Sequence, residues 1–180
     1  MIVYPAEYND RKEAVFAALA RVGGGRRLAA IPLSFRDFPE TPARVDAAMR
    51  RAKRQPKGVA RWFKRLLIRG QYNWARAYFA AHPEQIAVAW NALGGSRMAF
   101  MGGARDAGAA TLFAELAPFP GRITLDPAGV NAEGSVPQEP AFYRDWAAGD
   151  TSRTDESWRA MGAGLTAREA HAAAAARLSE

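Results

Sequence analysis

The sequence predicts an α/β domain, a parallel sheet with helices on its faces, from three observations. Short apolar runs at Ile86–Trp90, Thr111–Glu115 and Arg122–Asp126 are bounded by Gly and Pro, as buried parallel strands are. The segment 94–107, between the first two, has the length of a crossover helix. Apolar residues recur at helical spacing over Asn9–Val22 and Val59–Ala81. Strands alternating with helices in this way describe a Rossmann-like sheet.

In chain order, Ile2-Val3-Tyr4 is a first strand broken by Pro5. A helix follows, with Asn9 or Asp10 as its cap and Gly23-Gly24-Gly25 as its stop. Arg27–Leu33 is a second strand, and Phe35–Pro42 a surface loop in which Thr41 caps a helix running from Pro42 to Gln55. After Pro56 and Gly58 comes an amphipathic helix to Ala81. One of its stripes holds Val59, Phe63, Leu66, Leu67, Gly70, Trp74 and Tyr78, and another holds Arg61, Arg65, Arg69, Tyr72 and Arg76. Beyond Asn131 the pattern predicts a short helix over Pro140–Ala147, a polar loop and a terminal helix capped by Thr166. This organises the chain as a Rossmann-like domain over 1–148, with basic helices at 42–81, and a segment 149–180 that would begin a linker to a second domain.

Composition narrows the chemistry. At 180 residues and 49% apolar content the chain can bury one core. No run of 18 apolar residues and no basic leader followed by an apolar stretch is present, so a chain neither secreted nor membrane-spanning is expected. Without cysteine and with only His82 and His171, thiolate or zinc sites and histidine triads are not expected. No cofactor or metal is predicted, and acid–base work falls to carboxylates. Residues 44–76 carry eleven Lys and Arg against Asp46 alone, +10, which leaves −3 on the other 147 residues. Such a segment attracts phosphates of lipid or nucleic acid.

In open α/β sheets ligands bind beyond the carboxyl ends of the strands, and Asn91, Glu115 and Asp126 each close an apolar run there. Gly95 and Ser96 would expose helix N-terminal amides beside Asn91, suited to an anionic group, although neither a Walker pattern nor Gly-x-Gly-x-x-Gly is present. Other readings stand beside these. Trp90 suits a core as well as a stacking surface, Glu115 suits an ion pair with Arg97, Arg105 or Arg122, Asp126 suits a turn cap over Ala128 and Gly129, and Asn131 suits a turn.

The order Trp90-Asn91, Phe113-Ala-Glu115, Pro120-Gly121 and Asp126-Pro-Ala-Gly-Val-Asn131 resembles the capsular polysaccharide synthesis and export proteins, similar to the β-Kdo transferases of the capsule lipid linker. The likeness spans roughly residues 84–146, and its most specific piece is Leu112–Asn131. The sequence departs from the pattern at Leu116-Ala117, where the family usually has Gly or an acid. The resemblance implies one half of a two-domain GT-B-type glycosyltransferase, cytoplasmic and peripheral at the inner membrane. It would transfer Kdo or a related sugar from a CMP-sugar to a phospholipid-linked acceptor. Retaining transfer needs a carboxylate to attack the anomeric carbon and a second acid or base for the acceptor hydroxyl; Glu115 and Asp126 close predicted strands, adjacent strands lie about 5 Å apart, and the two are cast as that catalytic pair. Trp90, Asn91, Gly95, Ser96, Arg122 and Asn131 would then bind substrate. The arginine stripe Arg61, Arg65, Arg69 and Arg76 would meet phosphates of an anionic membrane. The His-Pro pair with which such transferases hold cytidine lies in their second domain, so His82-Pro83, before a central strand, is read as a helix stop. The alternatives are a non-catalytic sugar- or lipid-phosphate-binding module working beside a partner subunit, or, on the basic helices alone, a nucleic-acid-binding domain.

Overall fold

The computed structural model describes residues 1–52, 55–117, 122–137, 139–141 and 144. The chain divides into two compact units, 1–135 and 136–180, and the first is described below. The expected helices at 140–147 and after Thr166 lie wholly or largely outside the described residues. The first unit comprises β1 (Ile2–Pro5), α1 (Asp10–Gly23), β2 (Gly25–Leu28), α2 (Thr41–Arg50), α3 (Gly58–Ala81), β3 (Ile86–Trp90), α4 (Gly95–Asp106), β4 (Thr111–Leu116) and β5 (Ile123–Asp126). A single turn of 3₁₀-helix spans Asn131–Glu133. The five strands form one sheet in the order β2-β1-β3-β4-β5, parallel except for β5.

Strand alternation divides the core in two, because successive side chains point to opposite faces. Ile2, Tyr4, Val88, Trp90 and Ala114 face α1 and pack on Phe16. Val3, Ala87, Ala89 and Phe113 face the other way, onto Phe79, Phe100, Met101 and Ala104 of α3 and α4. Alanines on that face let the two helices lie close to the sheet. The α3–α4 crossing is tighter still: a Cβ on Gly103 would come 2.6 Å from the Tyr72 carbonyl, so only glycine fits. Asp106 then ties three helices together, accepting from Arg44 Nε (2.7 Å) and from the Tyr72 hydroxyl (2.7 Å). Burial first, and then the Asp106 hydrogen bond and charge, push the Tyr72 hydroxyl pKa up and keep it a donor.

Three expectations are corrected. Thr41 does not cap α2; it is buried, accepts from the Phe38 amide (2.9 Å) and donates to Asn73 Oδ1 (2.6 Å), tying the preceding loop to α3. The apolar stripe of α3 is not buried along its length. Of its members only Gly70 is buried, Leu66, Trp74 and Tyr78 are half-buried, and Val59, Phe63 and Leu67 lie exposed on the first half; the buried face is a different one, Ile68, Tyr72, Ala75 and Phe79, and it includes Tyr72 of the expected basic stripe. The last correction concerns β5, which runs antiparallel to β4, with Glu115 opposite Thr124 and Phe113 opposite Asp126. Its cause is chain length. Six residues separate Leu116 from Ile123, and a parallel crossover needs about a dozen or more.

Candidate functional site

The chain leaves β1 for β2 on one side and then crosses to β3 on the other, so the strand order reverses between β1 and β3. This is where ligands bind in open α/β sheets. The β1–β3 ladder registers only Ile2 with Ile86 and Val3 with Ala87, and beyond it the strands part toward their carboxyl ends. A cleft of about 660 Å³ opens there, within the range of small-molecule sites. Glu7, Tyr8 and Asn9 line it from the β1–α1 loop, Trp90 to Gly95 from the end of β3, and Lys12, Arg51, Lys64 and Arg97 from four different helices or their ends.

Local structure leaves polar groups in this cleft without protein partners. Asn91 (φ 57°) and Ala92 (φ 53°) are consecutive left-handed residues, a conformation that costs a non-glycine residue on the order of 1–2 kcal/mol. The Asn91 amide still donates to the Ala114 carbonyl (2.9 Å), but its side-chain Oδ1 is buried with no hydrogen-bond partner. Such an orphan costs about 1–3 kcal/mol unless something donates to it. Gly94, at the N-cap of α4, offers no side chain to the free amides of the first turn. It cannot be exchanged for a capping residue, because a Cβ there would come 2.3 Å from the Arg51 carbonyl.

The first turn of α4 also carries no acid and has Arg97 in it, the wrong sign for the positive end of a helix dipole. Arg97 is held by Glu7, two 2.8 Å bonds to a carboxylate whose side chain is 5% exposed. Lys12 lies 4.9 Å from the centre of the Trp90 ring. The cleft therefore gathers four cations, two of them at helix N-termini, beside the uncapped first turn of α4; Arg97 is paired with Glu7 and Arg51 with Glu133. Such an arrangement suits an anionic group with polar substituents.

The expected site residues fall into two sets. Trp90, Asn91 and Gly95 line the cleft, and Ser96 stands in the first turn of α4 beside it. Trp90 is 6% exposed and packs on Phe16 (6.2 Å between ring centres), so it is a core residue that closes one wall. Glu115 is level with Asn91 at the end of the adjacent strand but does not line the cleft. None of the three expected arginines pairs with it. Arg97 is on Glu7, Arg105 donates to the Ala128 carbonyl (2.6 Å), and exposed Arg122 forms no ion pair among the described residues. Instead Asn131, left-handed at φ 53°, sends its Nδ2 toward Glu115 Oε1 at 3.4 Å.

Asp126 does not reach the common carboxyl edge expected of it, because β5 is reversed. Its carboxylate is a loop anchor: Oδ1 accepts from the amides of Ala128 (2.7 Å) and Gly129 (3.2 Å), and Oδ2 from the amide and hydroxyl of Ser135 (both 2.8 Å). Burial pushes its pKa up, but the Ser135, Ala128 and Gly129 hydrogen bonds outweigh this and hold it at about 2. A carboxyl so acidic and so fully bonded neither gives nor takes a proton near neutrality, which leaves Glu115 without the catalytic partner expected of Asp126.

Most of the arginine stripe on α3 is committed within the protein. Arg65 pairs with Asp46, and Asp37 is held by Arg69 Nε (2.8 Å) and Asn73 Nδ2 (2.8 Å), which lower its pKa. The Arg76 guanidinium lies over Phe38 at 5.2 Å. These three staple the loop before α2, and α2 itself, to α3. Arg61, like Arg76, has no acidic partner among the described residues.

Sequence reasoning missed Glu7, Lys12, Arg51, Lys64 and Arg97. A legible signal existed for Arg97, a cation with no accompanying acid in the first turn of a helix whose cap position is glycine. The others depend on which loops the strand order brings together. Comparison with protein-family models, curated proteins and solved structures finds no match.

Proposed function

We propose that this chain is a glycosyltransferase-like domain of capsule assembly that binds an anionic sugar in the β1/β3 cleft, as Kdo, its CMP-activated form or a sugar phosphate on a lipid-linked acceptor. The cleft carries the reading: four cations and the uncapped first turn of α4 suit a carboxylate or phosphate, and the orphaned Asn91 oxygen suits a hydroxyl donor. The resemblance over residues 84–146 supplies the sugar class. Within this reading the domain is a binding module that works beside a donor-binding partner or domain, since its two expected catalytic carboxylates are not equivalent and neither lines the cleft.

Isothermal titration of the full chain with CMP-Kdo, and separately with inorganic phosphate, tests this. Binding of CMP-Kdo is expected, weakened at least about tenfold by Lys12→Ala and by Ser96→Asp, which sets a carboxylate on the uncapped amides. No binding by the wild type, or binding indifferent to both substitutions, overturns the proposal.

A second reading, sugar transfer, is favoured by Glu115. Among the described residues its carboxylate has no arginine partner and only a long bond from Asn131, so it stays available as nucleophile or base. With a donor domain supplied, Glu115→Gln should abolish transfer while leaving stability within about 0.5 kcal/mol of wild type. Normal transfer by that variant removes Glu115 from the chemistry.

A further inference from the structure

The first half of α3 presents large apolar side chains to solvent where a globular protein ordinarily buries them. Val59 is 71% exposed, Trp62 58%, Phe63 59% and Leu67 43%, and the rings of Trp62 and Phe63 touch edge to face at 4.9 Å. These four follow the i, i+3, i+4, i+8 spacing of one helix face. The face continues onto exposed Leu33 and Phe35, which pack beside Gly70, where even a Cβ would come 3.0 Å from Leu33. One contiguous ridge results, and singly scattered surface apolar residues do not explain it.

Charge decides what the ridge meets. All 24 residues of α3 include no Asp or Glu, and Lys57, Arg61 and Lys64 flank the apolar stripe on its first two turns, with Arg36 next to Phe35. A stripe of Trp, Phe, Leu and Val bordered by lysine and arginine matches the boundary between acyl chains and anionic headgroups. Position adds a second argument. Lys64, next in sequence to Phe63, lines the β1/β3 cleft, so cleft and ridge share one helical turn. A ligand whose sugar or phosphate sits in the cleft could leave its lipid tail in a bilayer at the ridge.

We infer that Val59, Trp62, Phe63 and Leu67, with Leu33 and Phe35, form a docking ridge that inserts into an anionic lipid bilayer and presents the β1/β3 cleft to a lipid-linked ligand. This rests on the cleft's reading as an anionic-sugar site. Contact runs through the apolar ridge, with Lys57 and Arg61 on headgroup phosphates, while Arg65, Arg69 and Arg76 keep their internal roles.

The test is cosedimentation of the full chain with vesicles of phosphatidylglycerol and phosphatidylcholine, against phosphatidylcholine alone. The wild type should partition onto the anionic vesicles. Trp62→Ser/Phe63→Ser should partition at least about tenfold less while melting as the wild type does, since both side chains are exposed. Trp62→Phe should keep binding but lose the tryptophan quenching that brominated lipids cause in the wild type. Equal partition of the double variant, no wild-type binding to anionic vesicles, or equal binding to neutral ones would overturn the inference. So would self-association of the wild type, abolished by the double variant and without vesicle binding, which would assign the ridge to a second copy. Titration with CMP-Kdo in vesicle-free solution reports on the cleft alone, so failure at the ridge and failure of the sugar site read out separately.

Discussion

Two corners of the sheet hold the polar residues that close its strands, and they are built on opposite principles. At the β4–β5 corner every oxygen of Asp126 is used, with four hydrogen bonds from Ala128, Gly129 and Ser135 folding the loop onto the strand. At the β1–β3 corner the chain holds two left-handed residues, keeps an oxygen of Asn91 buried and unpaired, and starts a helix with no cap. Similar residue types at similar positions in the sequence pattern thus serve structure in one place and, on the reading proposed above, recognition in the other. The difference is whether the protein itself satisfies them. A satisfied carboxylate adds stability; an unsatisfied cluster is tolerated where a ligand can complete it.

Substitutions can break this contrast. The largest effect should come from Glu7→Ala, which strands Arg97 beside the cleft without its buried partner. A loss of about 3 kcal/mol is expected, the low end for a broken buried pair because Arg97 keeps some water, measured as a shift in urea midpoint. If Glu7→Ala unfolds no earlier than wild type, the cleft's wall does not depend on that pair.

Next is Asp126→Ala, which should cost about 1–2 kcal/mol through the loop it anchors and leave CMP-Kdo affinity unchanged. The acid limb gives a second readout. Asp126 has a folded pKa of about 2 against an ordinary 3.8, so the unfolded chain binds the proton more readily between those values. Its contribution is complete above about pH 4 and disappears as pH falls toward 2, by a small amount because water screens the site. The wild type should lose this increment on acidification and Asp126→Ala should not. Ligand affinity that falls with Asp126→Ala would erase the distinction between the two corners.

Ser96→Asp should have the smallest effect on stability and the opposite sign. An acid in the first turn of α4 should add about 0.3–1 kcal/mol while weakening anion binding. A stabilised protein that binds less well would show directly that the uncapped helix end is kept for a ligand.

Much of the fold was legible in local sequence. The β3 and β4 runs, the extent of α3 and α4 and the Asn9 cap, whose Oδ1 accepts from the amides of Arg11 (3.1 Å) and Lys12 (3.3 Å), follow from periodicity, punctuation and capping chemistry, which act over a few residues. The same holds for Asn91 and Gly95 at the end of β3, and the turn-cap reading of Asp126 was already available in Asp126-Pro-Ala-Gly. Even the reversed β5 could be read from its six-residue connection.

What sequence alone determined is therefore the set of elements, their apolar faces and the concentration of positive charge between residues 44 and 76. Only the tertiary structure decided what those charges do. Arg65 and Arg69 meet Asp46 and Asp37 from outside α3, while Lys12, Arg51, Lys64 and Arg97 converge on one cleft because β1 lies between β2 and β3. It also buried the face of α3 that carries Ile68, Tyr72, Ala75 and Phe79 and left the first half of the expected apolar stripe, Val59, Phe63 and Leu67, exposed. Periodicity reports which residues share a helix face, but whether another element covers that face depends on where distant parts of the chain end up, and no local pattern encodes that.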